Sequence, residues 1–90
     1  MFGLSSQMKR AAVSVPANIA EGLGRNYKKD TIQFLYISRG SLYELETLVH
    51  ISEMLGMSKA EALPKIFELI KDGQRLVNGL ITRYEKADLR

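Results

Sequence analysis

Five cations stand in the first third of the chain, Lys9, Arg10, Arg25, Lys28 and Lys29, against a single carboxylate there, Glu21. Groups of this kind attract phosphate through long-range Coulomb forces and release of counterions, and they position a nucleic acid without reading its bases. They are therefore the candidate nucleic-acid contacts. The same residues also solubilise helix surfaces, and five charges spread over 29 residues fall short of a polybasic arm. Residues 1–29 carry a net +4, residues 30–56 a net −3 and residues 57–90 a net +2. A phosphate backbone would be repelled by the middle segment, where Glu44, Glu46 and Glu53 lie.

Other chemistry has little material. The chain has no cysteine and one histidine, His50, which removes disulfides, thiol catalysis, thiolate metal sites and any His cluster within one protomer. No Gly-x-Ser-x-Gly elbow, Walker loop or HExxH helix is present, and Gly22-Leu-Gly24-Arg25 lacks the strand a dinucleotide loop needs. Glu44 and Glu46 point to different sides of a helix. The expectation is a protein that is not an enzyme and that carries no metal and no cofactor. No apolar run is long enough to span a bilayer, and the start Met-Phe-Gly-Leu-Ser-Ser lacks a secretory pattern, so the reading is cytoplasmic, with no membrane partner.

Two further sets have informative spacing. Asn18 and Glu21 stand three apart, as do Ser41 and Glu44, with Arg39 close by; buried charge is tolerated only when paired, so Asn18, Glu21, Arg39 and Ser41 read as a structural polar network. Tyr36, Tyr43 and His50 are seven apart and align along one flank of a helix. Stacked bases would suit such a strip, but amphipathic rings at heptad spacing suit a subunit seam better, so these three are the candidate oligomer interface.

Ninety residues, 46% of them hydrophobic, make one small domain over 1–90. Apolar spacings of three and four predict an all-α fold, an antiparallel bundle of three main helices. The first runs from Leu4 to about Leu23, with Ser5 or Ser6 as cap and a kink or split near Ser14 where Pro16 removes a donor. Gly22 and Gly24 end it through left-handed glycine. With Gly24 as the centre of the turn, Asn18 falls opposite about residue 30 and Arg39 opposite Lys9, which keeps Glu21 away from Arg39. A second helix spans about Asn26 to Leu55 and stops at Gly56, with Leu35, Ser38, Leu42, Leu45, Leu48, Val49, Ser52 and Leu55 on an uncharged stripe. Mid-helix Gly40 implies a close backbone approach. Ser58 and Glu61 have capping-box spacing, Pro64 predicts a bend, and the third helix then runs to about Glu85 through Leu63, Ile66, Phe67, Ile70, Val77, Leu80, Ile81 and Tyr84.

Two blocks in this order carry a resemblance: Gln7-Met-Lys-Arg10-Ala-Ala-Val-Ser14-Val-Pro16-Ala-Asn18-Ile-Ala-Glu21-Gly22, and Phe34-Leu-Tyr-Ile-Ser-Arg39-Gly40-Ser41-Leu42-Tyr-Glu44-Leu45. Together with Leu76-Val-Asn-Gly79-Leu-Ile81, they resemble the bacterial four-helix-bundle proteins of the 23S rRNA intervening sequence family. That resemblance implies a soluble bundle without a known reaction, rings of five subunits, and a link to ribosomal RNA. It also implies an additional N-terminal helix, just after which this chain starts. The apolar groove such a helix would cover is expected to lie open or to be closed by a neighbouring copy. The leading expectation is a homo-oligomer that binds RNA; the alternative is a scaffold or adaptor for a protein partner that touches no nucleic acid.

Overall fold

The computed structural model describes residues 2–87, in which three helices follow one another: α1 (Phe2–Leu23), α2 (Lys28–Met54) and α3 (Leu63–Lys86), the last preceded by a 3-10 turn at Ala60–Ala62. No strand occurs among the described residues. The fold is all-α, as the periodicity predicts.

Heptad spacing sets the packing. Leu35, Leu42 and Val49 recur every seven residues on α2, as do Leu63, Ile70 and Val77 on α3, and with Ile81 these form one buried cluster. Leu42 reaches into the gap left by Gly73, where an added β-carbon would lie 3.1 Å from Leu42 Cδ2. Leu4 and Ala11 of α1 make a second cluster with Leu48 of α2, and Met8 and Leu45 lie against both.

Small and hydroxyl residues line the remainder of the α1–α2 seam. Thr31 Oγ1 donates to the Gly22 carbonyl (2.7 Å), Ser38 Oγ donates to the Val15 carbonyl (2.9 Å), and the Ser14 and Ser41 hydroxyls bond to each other (2.8 Å). Short side chains let the two backbones come close, and each hydroxyl finds a partner, so their burial leaves no polar atom orphaned. The partners run in opposite order along the two helices, with their midpoint near Tyr27. The turn is thus centred about three residues later than a turn pivoting on Gly24, because Gly24 closes α1 and the chain needs the following residues to reverse.

α2 is the middle helix; α1 and α3 each pack on it and scarcely on each other. The result is a flat slab of 48 × 22 × 14 Å with a radius of gyration of 14.8 Å, against about 12 Å for a compact chain of this length. Between α1 and α3, over the α2 floor of Leu42 and Leu45, lies an open apolar groove of about 320 Å³ walled by Val15, Ile66, Leu69 and Ile70.

Several local expectations are corrected. α1 is not split at Pro16 but runs as one helix through it; just before the proline, side chains of Asn18 and Ser38 donate to the Ser14 and Val15 carbonyls. Neither Gly22 nor Gly24 is left-handed; a side chain is excluded at Gly22 by space, since a β-carbon would lie 2.8 Å from Phe34 Cβ and 3.1 Å from the Thr31 carbonyl oxygen. Gly40 meets no close backbone at all. Gly56 does adopt positive φ (68°) and ends α2 in a Schellman arrangement, with the Met57 amide on the Ser52 carbonyl and the Gly56 amide on that of Glu53. Ser58 and Glu61 make no capping box: the Ser58 hydroxyl bonds to that of Ser52, and Ala62 precedes α3 without a side-chain cap. Pro64 then causes no bend, because it sits in the first turn of α3, where a missing N–H breaks no helical bond.

Candidate nucleic-acid interface

The five sequence-picked cations fall in two places. Lys9 and Arg10 are exposed on the outer edge of α1. Arg10 lines a polar cleft of about 350 Å³ between α1 and α2, together with Gln7, Ser14, Ser41 and Glu44. The Glu44 carboxylate in the same cleft offsets the positive charge of Arg10. Arg25, Lys28 and Lys29 stand about 22 Å further along, at the turn that joins α1 to α2.

At that turn the cations are held by their surroundings. Arg25 bonds the Glu21 carboxylate one helical turn back (2.7 Å), and its guanidinium lies 4.7 Å from the centre of the Phe34 ring. Lys28 donates from its amine to the Ala87 carbonyl (3.0 Å) at the end of α3. A cation at a helix C-terminus meets the negative end of the helix dipole, so this contact is electrostatically favoured. Lys29 is exposed.

The Lys28 contact brings in residues the sequence did not suggest. It fixes the end of α3 beside the start of α2, so exposed Arg83 and Lys86, the basic residues of the last turn of α3, join Arg25, Lys28 and Lys29 at one end of the slab. Among the described residues the nearby carboxylates are Glu21, Asp30 and Glu85, of which Glu21 faces Arg25 and Glu85 accepts a bond from Tyr36. Counting back from the centre of the connection at 55–62 could have shown this, since Tyr36–Glu85, Arg39–Asn78 and Glu46–Gln74 run in opposite order along α2 and α3, with midpoints close to that centre.

Next to this basic end is a hollow of about 310 Å³ between α1 and α3, lined by Leu23, Leu80, Arg83, Tyr84 and Ala87.

The four residues of the polar set are divided. Asn18 and Ser41 are joined through Ser14, since Asn18 Nδ2 donates to the Ser14 carbonyl (2.8 Å) and lies 2.9 Å from its hydroxyl. Glu21 pairs instead with Arg25 in solvent. Arg39 turns to the other side of α2, donating to Asn78 Oδ1 (3.2 Å), with its guanidinium 4.9 Å from the centre of the Tyr36 ring. Glu21 and Arg39 therefore do not meet.

Of the aromatic strip, two members are engaged within the protomer. Tyr36 donates its hydroxyl to Glu85 (2.5 Å), and the His50 ring lies 4.4 Å from that of Phe67. The bond to Glu85 holds the Tyr36 phenol above its ordinary pKa of 10.0, with burial and the carboxylate charge adding to the effect. Tyr43 stays half exposed between them.

Among the described residues no group of three or more His, Cys, Asp or Glu side chains could hold a metal ion, and no helix is long and apolar enough to cross a membrane. A family model described as 23S rRNA-intervening sequence protein matches residues 1–79. No curated protein and no solved structure matches the chain.

Proposed function

The chain belongs to the 23S rRNA-intervening sequence protein family, and from that premise we propose that it is a non-enzymatic, homo-oligomeric helical protein that binds RNA, ribosomal RNA first among the candidates. The surface is the basic end of the slab. The observation that carries this reading is the gathering of Arg83 and Lys86 with Arg25, Lys28 and Lys29. Cations from two distant stretches of sequence converge on one small surface, where they act together on a phosphate backbone. Lys9 and Arg10 give a second, weaker contact, reduced by Glu44.

Self-association is supported by the open groove between α1 and α3. Leu69 is 56% exposed there, and an apolar trough of this kind is covered when sister copies pack side by side. Closing a ring, of five copies as the family resemblance implies, repeats the basic end around an axis. Weak contacts per protomer then add as avidity.

The test replaces Lys29, Arg83 and Lys86 together by glutamine, sparing the Lys28 bond to α3. Affinity for a single-stranded RNA is measured over a salt series. The variant is expected to bind more weakly and to lose salt dependence, by a slope of about 0.7 for each phosphate contact removed. An unchanged slope and affinity would overturn the assignment.

The groove equally favours a second reading, a scaffold that receives an amphipathic helix from another protein and touches no RNA. Partners that remain bound after nuclease treatment and are released by Leu69→Glu would support it. Material lost on nuclease treatment would support RNA.

A further inference from the structure

On the reading that the basic end binds RNA, we propose that the hollow beside it, between the end of α1 and the last turns of α3, is a slot for one unpaired nucleobase. Single-stranded or looped RNA is then the substrate class, in preference to continuous duplex.

The chemistry of the lining points to a base. Leu23 and Leu80 give apolar walls, Tyr84 an aromatic ring and Arg83 a planar guanidinium, around about 310 Å³. A nucleobase has two flat apolar faces and a polar edge, and aromatic and guanidinium planes are the groups on which unstacked bases settle. A ligand made only of phosphates would gain nothing from Leu23 and Leu80. A purely aliphatic ligand would gain nothing from Arg83. The groove further along between the same helices makes the contrast plain, since its walls of Val15, Leu42, Leu45 and Ile66 include no cation and no aromatic ring.

The surroundings supply the rest of a nucleotide site. Lys28, Lys29 and Lys86 stand at the same end to receive the phosphates on either side of the captured base. Tyr84 is half-buried and packs against the main core, so its ring is fixed before binding and little freedom is lost when a base settles on it. A continuous duplex presents its phosphates to the same cations, but its bases are stacked on one another and cannot enter without being flipped out.

The experiment compares the full chain binding to an unstructured single-stranded RNA and to a blunt RNA duplex of equal length, at one salt concentration. It is repeated with Tyr84→Leu and with Leu23→Gln. Leu23 is 48% exposed, so its replacement tests the slot even where a change at Tyr84 disturbs the core. The wild type is expected to prefer the single strand by about tenfold or more. Each variant is expected to lose most of that preference while duplex affinity stays the same, and the thermal melting curve of Leu23→Gln is expected to match that of the wild type. Equal affinity for the two RNAs, or a preference untouched in both variants, overturns the slot and leaves the basic end standing. Failure to bind either RNA overturns both.

Discussion

At Ser38 the side chain is wholly buried between α1 and α2, and its one hydroxyl donates to the Val15 carbonyl. Because that carbonyl lies inside a helix, Ser38→Ala removes a bond without leaving an unpaired group, and the expected cost is about 1 kcal/mol in chemical denaturation. A loss above about 3 kcal/mol would mean that the seam depends on this contact alone. Tyr36 offers a test by pH. Its phenol donates to Glu85 only while protonated, so its pKa is raised in the folded protein. The stabilisation is complete below the ordinary phenol range and is lost as pH rises through the raised value. Ultraviolet titration of Tyr36→Phe should lack a late-ionising tyrosine present in the wild type, and the stability gap between the two should narrow in strong base. Such side-chain roles were only partly legible in the sequence. Ser38 was visible as part of an uncharged stripe and Ser41 as a polar candidate, but the hydroxyl pair between Ser14 and Ser41 depends on where the turn is centred, which Gly24 misplaces.

Helices α2 and α3 were legible because their seven-residue spacing repeats several times; Thr31 and Ser41 are buried off the expected stripe and Leu55 on it is exposed, but the other buried residues of both helices fall where expected. Their ends were not, because competing local bonds decide them: Ser58 goes to Ser52 instead of capping α3. Glycines divide in the same way. Gly22 is enclosed by Phe34 and Thr31, whereas Gly40 has open space around it in a helix interior. Gly22→Ala should therefore lower stability by about 1–3 kcal/mol through overpacking, and Gly40→Ala should raise it by up to about 1 kcal/mol through helix propensity. Thermal melting of the two variants should move in opposite directions. Equal shifts would deny that α2 leaves no room for a side chain at Gly22.

As a whole, the molecule is a slab with an apolar groove between α1 and α3, a polar cleft between α1 and α2, and a basic end. The cations of the turn were visible in the sequence, but Arg83 and Lys86 were not, since only the return of α3 to the start of α2 places them there. Leu69 is mostly exposed in the protomer, so Leu69→Glu should leave the helical content unchanged while lowering the mass of the assembly. Assembly through the groove and RNA at the basic end are tested together by light scattering on the nuclease-treated, high-salt-washed full chain, alone and then with a single-stranded RNA. The expected result is a mass of several 10.1 kDa protomers that rises when RNA is added. A lone protomer whose mass does not change with RNA would contradict both.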